Sequence, residues 1–167
     1  MFRLITPDFR IGRVEELSLD RLNHWGVDAL LLDADCTLKR YGDQNVTPAV
    51  AAWLASLRAG GIGLCLVSNG YGERIGPFAQ RLGLPFVARA LKPLPMGCRA
   101  ALQKMAFPPA RTAMVGDQIF ADILAGRLAG LRTILVDPIH PEEEPWFTRL
   151  KRGPERWVLR WMKQTPL

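Results

Sequence analysis

Apolar and polar positions along this chain fall into two rhythms. The first is a set of short, unbroken apolar runs at 27–33 (VDALLLD), 62–68 (IGLCLVS), 112–117 (TAMVGD) and 132–137 (RTILVD), with a weaker one at 85–88 (PFVA). Runs of this length without polar alternation predict strands buried on both faces of a parallel sheet. The second rhythm is helical. The set Leu17, Leu22 and Trp25 predicts a helix over 15–25, stopped by Gly26. Thr47 and Pro48 suit an N-cap and a first helical residue, and that helix runs to Arg58 before Gly60 and Gly61. Trp53, Leu54 and Leu57 make its core face. Further helices are predicted over 73–82, over 96–106 and from the residues after Asp117 to near Gly130. Two basic helical segments follow near 144–152 and 155–164.

Strands alternating with helices predict a doubly wound, mainly parallel α/β sheet in three layers. Ligands of such sheets bind beyond the carboxyl ends of the strands. That rule sorts the polar residues. Asp33 ends the first long run, Ser68 the second and Asp117 the TAMVGD run, so three strands deliver polar groups to one edge.

The chemistry concentrates there. Asp33 and Asp35 bracket one residue, and carboxylates this close repel unless a cation or a shared proton relieves them. Mg²⁺ is the natural relief, because it prefers oxygen ligands and few protein carboxylates. Asp117 and Asp122 offer more oxygen, Ser68 and Asn69 offer small donors, and Lys92 in ALKPLP offers a fixed cation. A nucleophile, a metal, a hydroxyl and a lysine are the parts that phosphoryl transfer needs. Neither histidine, His24 nor His140, belongs to a strand-end motif, and a carboxylate nucleophile needs no such base. Asn69 also fits a plain turn, and Asp122 a solvated helix position.

The motifs DADCT (33–37), SN (68–69), Lys92 and GDQIFAD (116–122) resemble, in order, the four motifs of the haloacid dehalogenase (HAD) superfamily. With LITPDFRIGRVEEL, SNGYGERI, VGDQIFADILAGRLAGLRTILVDPI and TRLKRGPER, the chain resembles the YqeG-type branch of the subfamily IIIA phosphatases over about residues 4–160. That branch is related to mitochondrial and plastid phosphatidylglycerophosphatases. The resemblance implies Asp33 as nucleophile and Asp35 as general acid and base. It implies Mg²⁺ on the carboxylates of Asp33 and Asp117 and the backbone carbonyl of Asp35, with Asp122 supporting the metal's water shell. Thr37, Ser68 and Asn69 would contact the substrate phosphate, Lys92 would bind it and neutralise charge between Asp33 and the phosphate, and Thr37 would also order the loop. An acid at position 35 separates the chain from the ATPase and dehalogenase branches and favours ester hydrolysis. Three positions depart from the branch: Cys36 and Gly70 stand where Asn is expected, and Ala121 where Thr is common. Only 30 residues separate Thr37 from Ser68 and 22 separate Asn69 from Lys92, so no large cap domain is expected and the site should be open.

Composition adds limits. The chain has 167 residues, which suits one domain over 1–167. No apolar window is long enough to span a bilayer, and Pro7, Asp8 and Arg10 interrupt any secretory core, so a cytoplasmic protein is expected. Cys36, Cys65 and Cys98 form no CxxC and read as reduced thiols. Of the net charge of +6, residues 149–167 hold +5, with basic residues on one helical side and Trp157, Val158, Trp161 and Met162 on the other. Such a segment can pack on the domain, lie on an anionic membrane or, as a lesser case, contact RNA or the ribosome. The expected substrate is a phosphate ester, carried on a lipid headgroup such as phosphatidylglycerophosphate; the alternatives are a phosphatase of soluble sugar or nucleotide phosphates, or a binding protein that uses this fold as a scaffold in ribosome assembly.

Overall fold

The computed structural model describes residues 4–143 and 153–155. Six strands, β1 (Phe9–Ile11), β2 (Ala29–Leu32), β3 (Gly63–Val67), β4 (Phe86–Val87), β5 (Thr112–Gly116) and β6 (Arg132–Val136), form one sheet in the order β1-β6-β5-β2-β3-β4. Every pairing is parallel. The chain steps outward from β2 to β3 and β4, then returns to the other side of β2 for β5 and β6. The order therefore reverses between β2 and β5, and the switch-point crevice opens at their carboxyl ends.

Alternation along the strands feeds two apolar layers. Leu30, Leu32, Leu64, Leu66, Ala113 and Val115 join one core with residues of α1 (Leu19–His24), α2 (Pro48–Ala59) and α3 (Gly72–Leu82). Leu31, Cys65, Val67 and Met114 join the other with α4 (Met96–Met105) and α5 (Leu124–Leu128). Helices on both faces explain why the strands read as unbroken apolar runs. Residues 38–67 hold α2 and β3, and 70–91 hold α3 and β4, with no further domain in either interval.

Some expected elements differ. The helix expected over 15–25 is split into a short turn, Val14–Glu16, and α1. Ser18 breaks it by adopting an extended backbone, from which its side chain accepts a hydrogen bond from the Arg21 N–H as an N-cap. Leu17 and Leu22 are still fully buried, and the Trp53 indole donates to the Leu17 carbonyl at 2.9 Å. Strand β1 was not expected; it is a three-residue edge strand beside β6. The helix expected after Asp117 opens instead as a π-turn, Ile119–Ile123, before α5. Cys36, Cys65 and Cys98 are buried and form no disulfide with one another. The basic segment at 144–152 lies outside the described residues, as does that at 155–164 apart from Glu155. Residues 153–155 are helical, and the Phe120 N–H donates to the carboxylate of buried Glu155 at 3.1 Å. No helix among the described residues is long and apolar enough to cross a membrane.

Candidate active site

The switch point gathers the expected acids. The Asp33 N–H extends the β2 ladder to the Val115 carbonyl of β5, which sets Asp33 at the crevice. Asp117 follows β5 directly, and Asp122 sits inside the π-turn. The wide turn buries Ile119, Ala121, Asp122 and Ile123 together, and so delivers Asp122 inward. Gly116 leaves the room for it: a Cβ there would come within 2.2 Å of the Asp122 carboxyl carbon. Carboxylate oxygens of Asp33, Asp117 and Asp122 lie within 4.8 Å of one another, and all three residues are buried.

Lys92 binds this cluster. Its Nζ donates to Asp33 Oδ1 at 2.6 Å and to Asp122 Oδ1 at 2.6 Å, with its side chain only 3% exposed. Asn69 fixes the lysine's backbone at both ends: its amide donates to the Lys92 carbonyl at 3.0 Å and accepts from the Lys92 N–H at 2.8 Å. Asn69 thus positions Lys92, a role that was not expected of it from the sequence. Ser68 is buried, and its Oγ accepts from the Gly70 N–H at 3.1 Å, which shapes the turn after β3. Thr37 donates to Asp117 Oδ1 at 3.0 Å and so ties the first motif to the fourth. Asp122 is 1% exposed, which excludes the solvated reading. Its Oδ2 accepts from the Gln118 N–H at 3.0 Å.

The electrostatics follow from burial. Burial raises the Asp33 carboxyl to about 6 and, with Asp122 and Asp35 adding repulsion, outweighs the downward pull of Lys92. Burial also raises Asp122, with Asp117 adding to the rise against Lys92. Burial alone would lower Lys92, but Asp122 and Asp33 hold it well above the usual lysine value. Among the described residues, these three buried carboxylates gather around the Lys92 ammonium. Hard oxygen donors in that arrangement fit a Mg²⁺-like ion, with Asp33, Asp117 and Asp122 the side chains that would hold it.

Asp35 stands apart. Its carboxylate is not part of the 4.8 Å cluster of acids, and Lys39 Nζ donates to its Oδ1 at 2.5 Å. Arg74 forks onto the same group, donating to Oδ1 at 3.0 Å and Oδ2 at 2.7 Å. Burial would raise Asp35, yet the hydrogen bonds of Arg74 and Lys39 outweigh it and hold the carboxyl below its ordinary value. Lys39 and Arg74 were not singled out in the sequence. The signal for Lys39 was its place four residues after Asp35. For Arg74 it was a cation in the first turn of a helix, where the dipole disfavours positive charge. Cys36, directly after Asp35, sits at φ 61°, a left-handed conformation that Asn tolerates better than most side chains, which accounts for the Asn expected there.

Comparison with known proteins agrees with this architecture. The model of the haloacid dehalogenase-like hydrolases matches residues 8–130. The chain is 29% identical over 162 residues to "Probable phosphatase YqeG" of Bacillus subtilis, covering 97% of this chain and 94% of that protein. It is 30% identical over 168 residues to a chloroplastic phosphatidylglycerophosphate phosphatase 1 of Chlamydomonas reinhardtii, covering 95% of this chain and 62% of that longer protein. In fold it is similar to the cobalt-bound deoxy-D-mannose-octulosonate 8-phosphate phosphatase of Haemophilus influenzae, with a TM-score of 0.54, 15% identity, and 67% and 69% of the two chains covered. With two strand-end acids, a bridging lysine and a GDQ-anchored turn at one crevice, the chain belongs to the haloacid dehalogenase-like hydrolase family.

Proposed function

We propose that the chain is a Mg²⁺-dependent phosphomonoesterase that works through an aspartyl-phosphate on Asp33. The observation that carries this is Asp33 at the end of β2, held by Lys92 at 2.6 Å and grouped with Asp117 and Asp122. Asp33 attacks phosphorus; the Asp33–phosphorus bond forms as the ester oxygen–phosphorus bond breaks, and the leaving oxygen takes a proton from Asp35. Water then attacks the acyl-phosphate, giving its proton to Asp35 and releasing phosphate and free Asp33. Lys92 neutralises charge on the transferring oxygens, and Ser68 donates its hydroxyl proton to them while its oxygen accepts from the Gly70 N–H. When bound, Mg²⁺ supplies charge neutralisation at the phosphoryl oxygens. Asn69, Thr37 and Gln118 position Lys92, Asp117 and Asp122.

Asp35, paired with Lys39 and Arg74, is held as a base. Its acid half-step is favoured once Arg74 leaves its carboxylate. The proposed substrate is phosphatidylglycerophosphate or a similar phosphorylated lipid headgroup. The relative of that name and the absence of a covering domain between residues 37 and 92 support this reading. The test is phosphate release from phosphatidylglycerophosphate micelles beside soluble esters, with Mg²⁺ and then with EDTA. Metal-dependent release from the lipid is expected, and release confined to soluble esters would discard the lipid.

A further inference from the structure

We propose that Arg74 is the recognition element for a second anionic group on the substrate, so that the site selects phosphomonoesters carrying another phosphate or phosphodiester a few bonds from the reacting one. The inference rests on the phosphatase reading above and names the substrate class of that site.

The argument starts from a surplus. Asp35 carries one negative charge and receives two cations, Lys39 and Arg74. Lys39 is 3% exposed, lies over the Phe78 ring and contacts the Asp35 carboxylate at 2.5 Å, so it pairs Asp35 by itself. Arg74 is the outer partner, with its side chain 44% exposed. It can exchange Asp35 for an incoming anion without leaving Asp35 buried and unpaired, the costly outcome that holds most buried pairs together. The trio of Asp35, Lys39 and Arg74 is net positive, and Arg74 is its exposed member. A substrate whose reacting phosphate enters among Asp33, Lys92 and a metal presents any further anion to Arg74.

Three local features fit this use. The guanidinium already makes the planar two-bond fork that suits phosphate oxygens as well as carboxylates. It stands in the first turn of α3, so the helix N-terminus adds to its field rather than opposing it. Gly70, a departure from the branch, borders it: a Cβ at 70 would fall 2.5 Å from an Arg74 terminal nitrogen, so a side chain there would shift the guanidinium. A second exposed cation, Arg89, donates its backbone N–H to the Gly70 carbonyl and carries its guanidinium over the Tyr71 ring, just before α3.

The experiment compares kcat and KM of the full chain and of Arg74→Gln and Arg74→Lys, with Mg²⁺, on three substrates. They are p-nitrophenyl phosphate, which has one anionic group; glycerophosphoglycerophosphate, which adds a phosphodiester without acyl chains; and phosphatidylglycerophosphate in micelles. The ratio of kcat/KM between the second and first is read on one preparation, so the amount of folded enzyme cancels. In the unaltered chain this ratio favours the phosphodiester. In Arg74→Gln it falls about tenfold, the worth of one charge-assisted hydrogen bond, mainly through a raised KM for the phosphodiester substrate. Arg74→Lys recovers part of it, through charge without the fork. An unchanged ratio in Arg74→Gln overturns the inference while leaving the phosphatase reading intact. A preference that appears only in micelles also overturns it, because the anion read would then be the lipid surface. Failure of the unaltered chain to release phosphate from any of the three overturns both.

Discussion

Replacing Lys92 with methionine tests the electrostatics of the cluster most sharply. Its ammonium lies 2.6 Å from both Asp33 and Asp122, whose side chains are 10% and 1% exposed. Removing one partner from a buried ion pair costs about 3–5 kcal/mol. For a chain of this size that lowers Tm by about 6–20 °C. The cost depends on pH, and its sign follows from the shifts. Asp33 is raised to about 6 and Asp122 is also raised, so protonation favours the fold. The stability each contributes is fully present below the unfolded carboxyl value and is lost as pH rises through the folded one. Without Lys92 both values rise further, and the loss deepens and extends to higher pH. The gap in Tm between the two proteins is therefore small near about pH 5 and widest near about pH 8. Scanning calorimetry in EDTA at both pH values measures it. Mg²⁺ added at the higher pH restores more of the variant's Tm than of the parent's, because the variant's cluster carries one more uncompensated charge. A gap that is equal at the two pH values, or under about 2–4 °C throughout, would refute the reasoning.

In the unaltered protein, Mg²⁺ raises Tm more near about pH 8 than near about pH 5, because the raised Asp33 carboxyl must lose a proton before it can hold a metal; thermal shift with and without EDTA reads the difference. Gly116→Ala drives a methyl into the Asp122 carboxylate, so it destabilises by about 1–3 kcal/mol and abolishes metal-dependent phosphate release, measured by denaturant unfolding and a phosphate assay. Asn69→Ala removes both hydrogen bonds on the Lys92 backbone; stability falls by about 1–3 kcal/mol and kcat falls further than KM rises, as steady-state kinetics would show.

The sheet was legible in the sequence because its strands are buried on both faces. β2, β3, β5 and β6 stand out as apolar runs, and the polar residue after β2, β3 and β5 is where the site lies. β1 was not legible: three residues with an exposed Arg10 in the middle carry too little pattern to separate an edge strand from a loop. The π-turn was read as ordinary helix, since its apolar spacing is helical and only the simultaneous burial of Ala121 and Asp122 reveals the wider turn. Of the expected site residues, Asp33, Lys92, Asp117 and Asp122 converge, and Thr37 joins them through Asp117. Asn69 was placed in the right loop, but its hold on the Lys92 backbone was not read, because a side chain that holds a backbone and one that holds a ligand look alike in sequence. Lys39 and Arg74 were missed because their importance lies in a contact with Asp35, made across 39 residues in the case of Arg74.

The central claim is that Asp33 takes the phosphoryl group. The most direct measurement is to mix enzyme, Mg²⁺ and phosphatidylglycerophosphate, quench in acid at short times and trap the acyl-phosphate by borohydride reduction. The peptide carrying residue 33 is then read by mass spectrometry. The account predicts reduction to homoserine at position 33, dependent on substrate and metal, and its loss with phosphate release in Asp33→Asn. Phosphate release that persists in Asp33→Asn, or a label on any other residue, would contradict it.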